Sequence, residues 1–132
     1  MEKEKLIEEA FKALENSYSP YSNYPVGAAL LTADGHVIYG ANIENASYPA
    51  GICAERNAVF SAYAQGYRKN DLKALAIVGK GNSVAGPCGV CRQALFELLD
   101  SRMPIYLSNG AETIETTMEE LLPMPFGPES LK

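Results

Sequence analysis

The chain has 132 residues, 47% of them apolar and 20% charged, and its 11 Lys plus Arg against 16 Asp plus Glu give a net charge of −5. A chain of this length buries well over half of its unfolded surface, so one domain spanning 1–132 is expected without staples. No apolar run approaches the roughly 20 residues that cross a bilayer, no apolar h-region follows the mixed-charge start, and no basic stripe offers itself to phosphates; a membrane span, a secretion signal and a nucleic-acid surface are therefore not expected.

The first predicted element is a helix over Glu2 to Asn16, with Leu6, Ile7, Ala10, Phe11 and Leu14 on one face. Ser17 to Asn23 is turn chemistry and ends it. Val26 to Leu31 is a nearly continuous apolar run, expected to be a strand buried on both faces. Asp34-Gly35 signals a hairpin, and Val37 to Ile43 is the returning strand. A second helix is expected from Cys53 to Gln65, stopped by Gly66. Its Ala58, Val59, Phe60, Ala62 and Tyr63 are apolar most of the way round, so it is expected to be sandwiched.

Leu72 to Val78 is a third strand, and Gly79 to Gly86 a loop. Pro87 precedes a helix from about Cys88 to Leu99 with Val90, Ala94, Leu95, Leu98 and Leu99 as its apolar side. A fourth strand follows at Ile105 to Leu107 and a fifth near Thr113 to Thr116, before a helical turn at Met118 to Leu122 and a Pro-rich tail. This alternation implies an α/β fold, a three-layer α/β/α sandwich around a mixed sheet of about five strands.

All three cysteines fall at predicted helix starts. Without an export signal the chain is expected in the cytoplasm, where thiols stay reduced and serve as metal ligands more readily than as bridges. Cys88 and Cys91 are one turn apart, so both sulfurs leave one face. The stretch between Cys53 and Cys88 encodes a helix and a strand, which fits two helix starts meeting at a sheet edge and not a zinc ribbon. Helix N-termini favour the thiolate that binds metal. Three thiolates with a fourth position left to water is the pattern of a catalytic zinc. Glu55 shares the first turn with Cys53 and could move protons at that position without ligating the metal. Three thiolates overcharge a divalent ion, and Arg56 could donate to the sulfurs and offset that charge. The plainer alternative is a structural Cys3His site with His36 as the fourth ligand.

Cys53-Ala54-Glu55-Arg56 and Pro87-Cys88-Gly89-Val90-Cys91-Arg92-Gln93 resemble the signature of the zinc deaminases, in which a ligand two before a glutamate is joined by Pro-Cys-x-x-Cys. The chain is most similar to the small, homotetrameric cytidine deaminases. The resemblance extends to Ser19–Ala29, Asn42–Tyr48 and Glu119–Pro123 with Phe126. It implies one zinc per subunit on Cys53, Cys88 and Cys91. It implies that zinc hydroxide attacks C4 of cytosine, that Glu55 shuttles the proton, and that ammonia leaves. It assigns Asn42 and Glu44 to the ribose hydroxyls, Tyr24 to a stacking wall that is usually Phe in the family, and the backbone at Ala54 to the base edge. Phe126 and Tyr48 would come from neighbouring subunits. The tail Pro123-Met124-Pro125-Phe126 departs from the family's usual Gly-Ala before Phe.

Without the resemblance, Asn42 and Glu44 read equally as edge polars, Tyr24 and Tyr48 as packing or surface residues, Phe126 as the dock of the tail, and Arg92 and Gln93 as helix braces. The leading expectation is deamination of cytidine and 2'-deoxycytidine in pyrimidine salvage. The alternatives are deamination of another aminopyrimidine nucleoside, and a non-catalytic zinc-stabilised interaction module. A nucleic-acid editing enzyme would need a cationic channel that this composition lacks.

Overall fold

A computed structural model describes residues 1–132. A five-stranded sheet in the order β2-β1-β3-β4-β5 carries helices on both faces. The strands are β1 (Val26–Thr32), β2 (Val37–Ala41), β3 (Leu72–Gly79), β4 (Ile105–Ser108) and β5 (Thr113–Thr116). The main helices are α1 (Lys3–Leu14), α2 (Ala54–Ala64) and α3 (Gly89–Leu98), with a single turn α4 (Met118–Leu121). β1 pairs antiparallel with β2 and with β3, β3 is parallel to β4, and β4 is antiparallel to β5. The expected three-layer mixed sheet is therefore the observed one. No helix is long and apolar enough to cross a membrane.

Alternation along the buried strands divides the core in two. Ala29 of β1 and Ala74, Ala76 and Val78 of β3 meet Leu6, Ala10 and Leu14 of α1. Ala28, Leu30, Leu75 and Ile77 point the other way, to Ala54, Ala58, Val59 and Ala62 of α2 and Leu95 of α3. Small residues on the strands let the helices approach closely. The extreme cases are Gly27 and Gly40. A Cβ on Gly27 would lie 2.2 Å from the Ala10 carbonyl oxygen of α1, and one on Gly40 would lie 2.3 Å from the Ala54 carbonyl oxygen of α2. Gly40 thus seats the first turn of α2 directly on the sheet.

Two apolar expectations fail. Phe60 is 42% exposed and Val90 is 63% exposed, so α2 is covered on one side only and the apolar side of α3 starts later than Val90. An apolar side chain states a preference for burial; whether another element is there to cover it depends on topology. β2 also stops at Ala41 and not at Ile43, because the Asn42 side chain takes over the local pairing.

The layout leads three strand ends and two helix starts to one edge. β2 and β3 finish there, β1 begins there, and α2 and α3 start there. Val26 faces Gly79 across the β1–β3 ladder. Ligands of open α/β sheets gather at such carboxyl ends, beside helix N-termini.

Candidate active site

Cys53 and Cys88 are the N-cap residues of α2 and α3. The Cys88 sulfur takes the usual capping role and accepts the Cys91 backbone N–H at 3.5 Å. Arg92 holds this turn in place: its Nε donates to the Pro87 carbonyl at 2.7 Å and its Nη1 to the Leu121 carbonyl at 2.9 Å. The Tyr63 hydroxyl donates to the Leu98 carbonyl at 2.7 Å and ties α2 to α3. Arg92 therefore braces the helix start, as the sequence reading has it.

The sulfurs of Cys53, Cys88 and Cys91 all lie within 4.8 Å of one another, and those of Cys53 and Cys88 are 3.9 Å apart. Tetrahedral zinc with bonds of about 2.3 Å separates its sulfurs by about 3.8 Å. All three thiols are free and converge on one point, so the donor set fits a zinc ion with one position left over. His36 does not reach them. It sits beyond Thr32, at the opposite end of β1 from Val26, where its Nδ1 lies 3.1 Å from the Tyr67 hydroxyl. The seven residues of β1 separate the two ends by about 20 Å. The Cys3His alternative is excluded.

The Arg56 Nε lies 3.3 Å from the Cys91 sulfur, and its Nη2 lies 3.7 Å from the Cys53 sulfur. The Cys53 thiol is brought down to about 5, chiefly by a hydrogen bond from Cys91 and then by Arg56 and Cys88. The Cys91 thiol is pushed up by the same bond to Cys53 and by burial. A bound cation would favour the thiolate at all three sulfurs. Glu55 is 4% exposed, and burial pushes its carboxyl up to about 7.

Two hollows meet here. The smaller, about 270 Å³, is lined by Tyr24, Asn42, Glu44, Ala54, Glu55, Cys53 and Cys88 with the ends of β1 and β3. The larger, about 450 Å³, is more open and is lined by Tyr21, Tyr48, Ile43, Ile52 and Arg56, sharing Ser22, Asn42, Glu44 and Cys53. Of the two, only the smaller reaches Glu55.

Asn42 and Glu44 share both hollows although β2 has ended before them. The Asn42 Oδ1 accepts the Val26 N–H at 2.9 Å and the Ser17 hydroxyl, and its Nδ2 donates to the Tyr24 carbonyl at 3.0 Å. The Glu44 carboxylate accepts the N–H groups of Tyr21 at 2.9 Å and Ser22 at 3.1 Å, and the Ser22 hydroxyl. These bonds hold its carboxyl below the usual range, the Ser22 hydroxyl contributing most. Both residues clamp the 19–25 loop as well as lining the pocket. Tyr48 is 77% exposed and meets Tyr21 edge-on at 6.2 Å between centroids. Phe126 is 61% exposed and lines neither hollow of its own chain; its carbonyl accepts from Gln93 at 2.8 Å. Sequence reading passed over Ser22 and Gly79, which the turn motif and the glycine ending β3 could have marked.

The chain matches the family model of the cytidine and deoxycytidylate deaminase zinc-binding region over residues 1–107. It is 48% identical to a cytidine deaminase of Sporosarcina psychrophila, covering 99% of this chain and 96% of that protein. A cytidine deaminase of Halalkalibacterium halodurans is also 48% identical, over 99% of this chain and 98% of its own. Among solved structures, a cytidine deaminase from Burkholderia pseudomallei superposes with a TM-score of 0.92 at 46% identity, over 96% of this chain and 100% of that one.

Proposed function

This chain belongs to the cytidine and deoxycytidylate deaminase family, and on that premise we propose that it hydrolyses cytidine and 2'-deoxycytidine to uridine and 2'-deoxyuridine with release of ammonia. The single observation that carries the reading is the meeting of three thiols and a buried glutamate on two adjoining helix starts, with Cys53, Cys88 and Glu55 lining one hollow. Cys53, Cys88 and Cys91 hold zinc, which when bound supplies Lewis acidity toward water.

Glu55 takes a proton from the attacking water and delivers it to N3 of the pyrimidine. The bond from C4 to oxygen forms, the bond from C4 to the exocyclic nitrogen breaks, and ammonia leaves with a proton returned through Glu55. Burial of Glu55 shields this transfer from bulk water. Arg56 offsets the charge of the thiolates through its two donor contacts. Asn42 and Glu44 receive the ribose hydroxyls, Tyr24 walls the base, and the backbone at Ala54 meets the base edge. The hollow that contains Glu55 is small and its lining is neutral to acidic, which suits a free nucleoside better than a polynucleotide.

Residues 1–132 act as one domain, and four copies assemble as a homotetramer in which Phe126 and Tyr48 of neighbours complete each pocket. Large exposed side chains at Tyr48, Met124 and Phe126 support an assembly surface. Three free thiols suit a reducing compartment, and we place the chain in the cytoplasm, in pyrimidine salvage.

Ammonia release from cytidine, with zinc measured on the same sample and the assembly sized by light scattering, tests the reading. Turnover of another aminopyrimidine but not of cytidine would replace the substrate. Zinc without any turnover would leave only an interaction module.

A further inference from the structure

Tyr24 is held at both ends, and the means at its far end are two glycines. Its backbone N–H donates to the Ser22 hydroxyl oxygen at 3.0 Å, and its carbonyl accepts from the Asn42 Nδ2 at 3.0 Å. Asn23 just before it sits at φ 56, a left-handed conformation that sets the direction in which the Tyr24 ring departs. The ring tip reaches across to the end of β3. A Cβ on Gly79 would lie 2.7 Å from the Tyr24 hydroxyl oxygen and 3.1 Å from the ring carbon that bears it. A Cβ on Gly81 would lie 3.2 Å from the same oxygen and 3.3 Å from a ring edge carbon.

We infer that Gly79 and Gly81 form a slot that positions Tyr24 as a wall of the substrate pocket, and that the Tyr24 hydroxyl is what makes glycine necessary at 79. Gly79 is buried and lines the same hollow as Glu55, so the slot lies within the pocket wall. Any side chain at 79 drives the ring out of place and not the fold, because Tyr24 is 36% exposed and has solvent to move into. The two glycines are positioning residues that act through Tyr24. The effect belongs to substrate binding, since neither glycine touches the thiols or the Glu55 turn. The inference rests on the deaminase reading for its kinetic test only.

Four variants test it: Gly79→Ala, Tyr24→Phe, the two together, and Gly81→Ala, each with zinc content and melting temperature as controls on the fold. Gly79→Ala should raise KM for cytidine roughly tenfold, the scale of one misplaced contact, and leave kcat within about twofold. Tyr24→Phe removes the hydroxyl while keeping the ring, and its KM is the reference against which the double variant is read. With the hydroxyl gone the nearest atom to a Cβ at 79 is a ring carbon at 3.1 Å, which a shift of tenths of an ångström relieves. The double variant should therefore fall back to within about threefold of Tyr24→Phe alone. Gly81→Ala should show the same pattern more weakly. An unchanged KM in Gly79→Ala, or an equal rise with and without the hydroxyl, would overturn the slot. Should the unaltered chain release no ammonia, the deaminase reading fails by itself, and the slot is judged by ring-labelled tyrosine NMR. There, Gly79→Ala should move the Tyr24 ring signals, and unmoved signals would overturn it.

Discussion

At the cysteine end of the pocket, every group of interest sits in or beside the first turn of a helix packed on the sheet. At the Asn42–Glu44 end, every group sits on a loop, held by side chains reaching to backbone. Cys53, Glu55 and Arg56 are placed by the seating of α2 on Gly40, and Cys88 and Cys91 by the start of α3 under the Arg92 brace. Tyr24 and Ser22 are placed by hydrogen bonds to Asn42 and Glu44. Helix-on-sheet packing is tight and fails by overpacking. A hydrogen-bonded loop gives way locally and leaves the core intact. On the roles proposed above, the chemistry stands on the rigid part, and the recognition of the sugar and base on the adaptable part.

The comparison can be broken most sharply at Glu55. Glu55→Gln should lower kcat by about 10²–10⁴-fold, the usual contribution of a positioned acid–base group, while zinc stays bound. Full activity in that variant would remove the proton shuttle from the mechanism. Next comes Gly40→Ala, whose Cβ meets backbone that cannot rotate away. Overpacking of this kind costs roughly 1–3 kcal/mol, so melting should fall by several degrees and zinc occupancy with it. Gly27→Ala, its counterpart under α1, should lower melting similarly but keep zinc; equal zinc loss in both would deny that the α2 seat is specific to the site.

Arg56→Ala should cost about 10–100-fold in zinc affinity or activity and shift the pH dependence of the rate. Unaltered zinc content and pH profile would sink that role. The smallest effect is at the loop end. The Glu44 carboxyl is depressed, so its contribution to holding the 19–25 loop is present above the unfolded value and is lost only as pH falls through the lower folded value. Ser22→Ala removes the largest cause and should bring the Glu44 midpoint up toward the ordinary carboxylate range in a carboxyl NMR titration, with KM rising earlier on acidification. An unmoved midpoint would contradict the clamp.

The same contrast explains what could be read in advance. Apolar runs and helix starts are local properties, so the five strands, the three main helices and the convergence of Cys53, Cys88 and Cys91 were legible. The β2 end was not, because Asn42 replaces strand pairing with side-chain bonds that no periodicity encodes. Phe60 and Val90 misled for a related reason: their cover would have to come from elements that the topology puts elsewhere. The double duty of Glu44 depends on Tyr21 and Ser22 folding back to it from more than twenty residues away, which spacing alone does not reveal. Tyr24 was singled out from resemblance, whereas its glycine slot needed the fold.

Zinc restored in steps to chelator-stripped protein, with ammonia release from cytidine followed at each step, addresses the central claim most directly. The three-thiol site predicts no turnover without metal and a linear rise that levels off at one zinc per chain. Turnover in the zinc-free protein, or a fully loaded chain that releases no ammonia, would contradict it.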